Sequence, residues 1–180
     1  MDKVNISKLL NETHVEFIVY INSLTEEEYL HAPKDKWDSS QHTDHILKSI
    51  NMLNKALKVP KWILKQKFGH ANRVSKSYDA LVAKYIEKLK TAKATPARFQ
   101  PEKIAFGNKN KMLSRIEKTI DALLKKIKKL SEEDLDYYIL PHPLLGKLTL
   151  REQFCFSIHH VKQHQSLIER DLLIINKNEK

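Results

Sequence analysis

Glycine is nearly absent from this chain: Gly69, Gly107 and Gly146 are the three among 180 residues. Each stands nearly forty residues from the next, so neither GxGxxG nor GxxxxGK can be written anywhere, and dinucleotide and P-loop nucleotide binding are excluded. The GxSxG hydrolase elbow needs two glycines around one serine and is excluded with them. So few permissive residues also disfavour a sheet-rich fold with many tight turns. The single cysteine, Cys155, can form neither an internal disulfide nor a CxxC zinc or redox motif. That usage fits a reducing compartment, and a cytoplasmic location is expected. The longest uninterrupted apolar run is the five residues 17–21, far short of the ~18 needed to span a bilayer. The opening MDKVNIS lacks the basic start and apolar stretch of a secretory signal. A membrane is not expected among the partners.

Positive charge is present in excess, with a formal net charge of +10, and it is unevenly placed. Residues 84–129 carry 14 Lys or Arg against 4 Asp or Glu, while the remainder is balanced at 18 against 18. Only Arg98 and Arg115 of those 14 are arginine, whereas bidentate guanine reading favours Arg and single-strand binding needs interleaved aromatics. Nucleic acid is therefore not an expected partner beyond non-specific phosphate contact. Between residues 116 and 130 the apolar positions Ile116, Ile120, Leu123, Ile127 and Leu130 recur at helical spacing, so the intervening lysines read as the wet face of an amphipathic helix. An interaction patch for an anionic partner is the alternative.

At 21.1 kDa, one domain over residues 1–180 is expected. The pattern predicts an all-α four-helix bundle. Helix one covers residues 6–24, with Leu10, His14, Phe17, Ile21 and Leu24 on one face. Helix two starts after Asp38, which with Gln41 makes a capping box, carries the stripe Ile46, Ile50, Leu53 and Leu57, and is closed by Pro60. Helix three spans residues 109–130. The segment Ser131-Glu132-Glu133-Asp134 caps a short turn, and Pro141, Pro143 and Gly146 predict an irregular loop. Thr149 and Glu152 form a second capping box opening helix four, whose buried face runs Leu150, Phe154, Ile158, Val161, Ile168 and Leu172. Helical pattern at residues 62–68 and 77–89 fills a long connection between helices two and three, which predicts a crossover rather than up-down-up-down topology.

Nine histidines are many for this length. His42 and His45 open helix two, and His159, His160 and His164 lie in helix four. At ~100° per residue, His160 and His164 point within about 40° of each other one turn apart and can share a metal, whereas His159 and His160 diverge by about 100°. Three neutral imidazoles at ~2.0–2.1 Å would leave a position open for water or substrate, and helix two can supply the third. Either His42 or His45 meets that need. A His-x-x-x-His pair alone is weak, being more often exposed or hydrogen-bonded histidine. It also lacks the glutamate of HExxH, which argues against metalloprotease chemistry.

The segments WDSSQHTDHIL at residues 37–47 and HPLLGKLTLRE at residues 142–152, with His160-x-x-x-His164, together resemble the DinB-like superfamily. This is a four-helix-bundle family, and the resemblance extends over residues 37–172. In it, a histidine eight residues after the tryptophan and the His-x-x-x-His pair hold one divalent metal, zinc or nickel. The resemblance thus implies His45, His160 and His164 as ligands. Asp38 stands where serine commonly follows the tryptophan, and caps equally well. Characterised relatives include metal-dependent transferases that join a low-molecular-weight thiol, such as bacillithiol or mycothiol, to an electrophile. The leading expectation is such a thiol transferase in detoxification or stress response, with a small-molecule thiol and electrophile as partners. The alternatives are a metal-dependent hydrolase, a non-enzymatic metal- or ligand-binding bundle, and a basic interaction module at residues 84–129. A homodimer is in keeping with related bundles. Of the other histidines, His42 either partners a ligand or, as the preferred reading, simply sits on the first turn of helix two; His14 could approach the site but reads better as a satisfied core residue; His142 belongs to a structural loop, and His31, His70 and His159 have no role. Cys155 reads as a buried filler and Trp37 as a packing anchor.

Overall fold

The computed structural model describes residues 1–92 and 94–178, with side chains up to residue 173. Lys93 of the basic segment and residues 179–180 of the expected domain lie outside them. Four long helices dominate: α1 (Lys3–Ser23), α3 (Ser39–Ala56), α6 (Lys109–Ile127) and α8 (Leu150–Asn178). Shorter ones join them: α2 (Glu26–Leu30), α4 (Lys61–Phe68), α5 (Tyr78–Leu89) and α7 (Glu132–Tyr137). Helix α1 begins three residues before the expected start at residue 6, because the Asp2 carboxylate accepts from the Asn5 amide at 2.8 Å. The Asp38/Gln41 capping box forms as the sequence predicts, with Gln41 N–H donating to Asp38 Oδ1 at 2.8 Å and Asp38 N–H to Gln41 Oε1 at 3.1 Å.

Side-chain contacts fix the directions of the four helices. Asn51 meets Thr119 and Asn54 meets Lys126, so α3 and α6 run parallel. Arg151 donates to the Met1 carbonyl at 2.7 Å, which sets the start of α8 beside the start of α1. The bundle is two helices up and two down, with α1 and α3 diagonal to one another across the core. Parallel α3 and α6 need the crossover that the long connection predicts. Ile6, Phe17, Ile46, Ile116, Leu123 and Phe154 are among its fully buried side chains, each stabilising the fold by roughly 1.5–3 kcal/mol.

Two features depart from the sequence reading. The loop at Pro141 and Pro143 is a regular hairpin, β1 (Ile139–His142) paired antiparallel with β2 (Gly146–Thr149). Proline is tolerated there because a two-stranded ribbon is all edge, and His142 Nδ1 closes the turn by accepting from the Leu144 and Leu145 amides at 3.2 and 3.1 Å. Lys109 is buried, whereas the other lysines of α6 are exposed or, at Lys126, half-buried against α3. Its ammonium donates to the Asn22 and Leu24 carbonyls at 3.0 and 2.8 Å and lies 4.4 Å from the Phe106 ring centre. A cation at the carbonyl end of α1 is favoured by the helix dipole and by the aromatic face.

The crossover is tied to the start of α8 by Glu152, whose side chain is fully buried. Its N–H and carboxylate close the predicted capping box with Thr149 at 3.2 and 2.9 Å. The same carboxylate accepts a bidentate pair from Arg73 at 2.6 and 2.7 Å and the Lys76 amide at 2.8 Å.

Candidate metal centre

The capping box at Asp38 sets the register of α3, so that His42 and His45 on its first two turns face α8. There, one turn apart, lie His160 and His164. All four are buried. The His160 Nε2 lies 3.2 Å from His45 Nε2 and 3.0 Å from His164 Nε2, and one ring nitrogen from each of the three falls within 4.8 Å of the others. A metal at ~2.0–2.1 Å with ligand angles between 90° and tetrahedral places neighbouring nitrogens roughly 2.9–3.4 Å apart. The two separations from His160 Nε2 suit that geometry.

Proton positions sharpen the fit. His45 Nδ1 is 2.8 Å from the Phe99 carbonyl, which can only accept, so Nδ1 carries the proton and Nε2 of the neutral ring presents a lone pair. His164 Nδ1 is 2.7 Å from His42 Nδ1; with the proton on His164, its Nε2 is also a lone pair. His160 Nε2 owns at most one proton and can satisfy only one of the two lone pairs aimed at it. A cation at the common focus satisfies all three.

Burial keeps these rings neutral. It drives the pKa of His160 and His164 well below 6.5, reinforced by the neighbouring imidazoles, and lowers His42 to about 4. For His45, burial lowers the pKa and the Phe99 carbonyl partly opposes it. Neutral imidazole is the form that binds metal.

The surrounding shell is aromatic. Trp37 stacks on His164 with ring centres 6.1 Å apart and planes 10° from parallel, and lies 5.1 Å from His45. Phe156 stacks on His160 at 4.9 Å, backed by Tyr85 of α5. Outside His42 lies an open depression of about 340 Å³ bordered by Lys36, Trp37, Arg170 and Asp171.

The structure therefore brings together His45, His160 and His164. His42 sits on the first turn of α3, as the preferred reading has it, and its ring also touches the cluster through His164, in keeping with the alternative. The signal was present in its three-residue offset from His45, which puts both on one helix face, but not its partner. Phe99 was missed because a backbone carbonyl leaves no trace in sequence. His14 is buried as expected, with Nδ1 donating to the Leu10 carbonyl at 2.8 Å, but its Nε2 has no partner among the described residues. His159 packs on Tyr85, and exposed His70 stacks on Tyr137. Cys155 is buried, and burial pushes its thiol pKa up, as suits a filler.

Fold and site define a helical bundle with three histidines from two helices gathered in a group able to hold a metal ion. The family model for the DinB superfamily matches residues 9–168, and the chain belongs to that superfamily. The match extends through most of α1, beyond the segments that carry the resemblance. No curated protein sequence matches the chain.

Proposed function

We propose that His45, His160 and His164 hold one divalent ion, zinc or nickel, and that the protein is a metal-dependent enzyme transferring a low-molecular-weight thiol to an electrophile. The observation that supports this reading most is the convergence of three Nε2 atoms, two of them from rings whose Nδ1 is already hydrogen-bonded, to Phe99 and to His42. When bound, the ion supplies a Lewis-acid centre that favours the thiolate over the thiol and leaves a coordination position open. The chain's own contribution is positional. Phe99 and His42 hold two imidazoles in the metal-binding tautomer, while Trp37 and Phe156 fix ring orientation and limit water around the reacting sulfur. A metal-dependent hydrolase would use the same centre.

Protein purified without an affinity tag and loaded with Zn²⁺ or Ni²⁺ is expected to conjugate a small thiol to a generic electrophile, followed by thiol consumption. Hydrolysis of an activated ester without conjugation would replace the transferase reading by the hydrolase; neither activity in metal-replete protein would leave a binding bundle. His42 provides a finer test. His42→Phe removes the acceptor for His164 Nδ1–H and is expected to weaken metal binding 10–100-fold in chelator competition. His42→Asn, which keeps an acceptor oxygen, is expected to recover much of it.

A further inference from the structure

Ion pairing changes the charge map read from the sequence. Between Asp44 and Asp79 the chain carries eight Lys or Arg and no acidic residue. Four of these eight are neutralised by tertiary contacts: Lys48 by Asp44, Lys61 by Asp134, and Arg73 and Lys76 by Glu152. Lys55 and Lys58 have no carboxylate partner among the described residues. Because α3 and α6 run parallel, their C-terminal ends lie side by side, and Lys126 reaches the Asn54 carbonyl at 2.6 Å. Two basic stretches that the sequence separates by about seventy residues thus meet at one end of the bundle. Leu57, at the C-cap of α3, is twelve residues beyond His45, or ~18 Å along the helix, so this end is remote from the histidine cluster.

The meeting place is not purely charged. An apolar cleft of about 170 Å³ opens there, lined by Leu57, Leu64, Leu130 and Leu150 and edged by Lys126 and Lys129. Beside it, on the turn into α4 and its first residues, Val59 and Trp62 are 36% and 67% exposed. The cleft is below the ~300 Å³ of an ordinary small-molecule pocket, and suits a single inserted chain. Of the four acidic residues of α7, Glu132 and Asp136 are held by Arg151 and Asp134 by Lys61, which leaves Glu133 without an ion pair among the described residues.

We propose that this end of the bundle docks peripherally on a membrane surface rich in anionic phospholipid. Unpaired lysines meet the headgroup phosphates and carboxylates, with their flexible stems lying along the apolar rim. Trp62 and Val59 enter the interfacial layer, where an indole is favoured. The contact lies on the surface, since no helix among the described residues is long and apolar enough to cross a membrane; it departs from the sequence-based expectation of no membrane partner, which rests on the lack of a spanning run and of a secretory signal. A nucleic acid would use the lysines but leave Val59 and the leucine-lined cleft without a partner, and the cations here are lysine rather than the arginine that reads bases.

Co-sedimentation with vesicles tests the assignment. The full chain is expected to pellet with phosphatidylcholine vesicles containing about a third phosphatidylserine, to stay in solution with phosphatidylcholine alone, and to be released by high salt. Lys58→Glu combined with Lys129→Glu is expected to cut binding more than tenfold. Trp62→Ser, which leaves charge unchanged, is expected to reduce it several-fold, with helicity by circular dichroism confirming the fold of each variant. On docking, indole emission of the wild type should shift to the blue and that of Trp62→Phe should not. Failure to pellet with the anionic vesicles overturns the proposal, as does retention by the charge-reversal variant. Tighter binding to single-stranded or duplex DNA than to vesicles at equal salt also overturns it and assigns the face to nucleic acid.

Discussion

His160→Ala is expected to abolish tight binding of Zn²⁺ or Ni²⁺. The ring is central to the cluster, with its Nε2 facing both His45 and His164. Its loss leaves two ligands from separate helices, and the affinity should fall by more than the ~10–100-fold that removal of an outer hydrogen-bond partner costs. Metal content of tag-free protein by elemental analysis, with competition against a chromophoric chelator, measures this directly. His159→Ala is the matched control: the neighbouring ring diverges from the cluster and packs on Tyr85, so metal affinity should hold. Equal metal binding by His160→Ala and wild type would remove the basis for the proposed chemistry.

The largest expected effect on stability comes from Glu152. Burial alone would raise its pKa, but the Arg73 guanidinium and the Lys76 and Thr149 amides outweigh that and hold it at about 2, against an ordinary 4.5. The folded value is the lower one, so the linked stability is fully present above pH ~4.5 and is lost as pH falls toward 2. At ~1.4 kcal/mol per unit the shift corresponds to roughly 3 kcal/mol. Glu152→Ala also removes the carboxylate half of the capping box of α8, leaving the Thr149 hydroxyl in place, and takes the carboxylate partner from Arg73. Removing one partner of a buried pair costs about 3–5 kcal/mol, and partial exposure of Arg73 places the expectation at the lower end. For a chain of this size that lowers the melting temperature by roughly 6–12 °C. Urea denaturation at pH 7 should show the full difference between variant and wild type, and at pH 2 the difference should be much reduced. A variant as stable as wild type at pH 7 would mean that the capping box and crossover tie contribute little.

The parts of this fold legible in the sequence are those governed by local chemistry. Side-chain caps at Asp38 and Thr149, and the apolar stripe of α6, depend on neighbours within one or two turns, and the helices form where those signals stand. Angular spacing alone paired His160 with His164. Choosing His45 over His42 required the resemblance, because both lie in the same two turns of α3. What remained hidden depends on contacts distant in sequence. Lys109 looks like any other lysine of α6 until α1 ends beside it, and Glu152 reads as a cap until Arg73 arrives from the crossover. The hairpin around Pro141 escaped notice because four-residue strands carry too little alternation to outweigh two prolines. The balanced charge outside residues 84–129 is a sum that conceals its geometry, since Lys48 pairs within α3 but the acidic partners of Lys61, Arg73 and Lys76 sit on other elements.

The hydrogen bond from His45 to Phe99 carries a consequence for assembly. It closes a loop of 54 residues, and the contact from His45 to His160 spans 115. Both closures carry chain entropy that only the completed tertiary fold offsets. A nascent or partly folded chain can possess α3 and α8 as helices and still have no focus for their imidazoles. Capacity for metal is thus a certificate of finished folding, issued once the crossover has wrapped back over the start of α3.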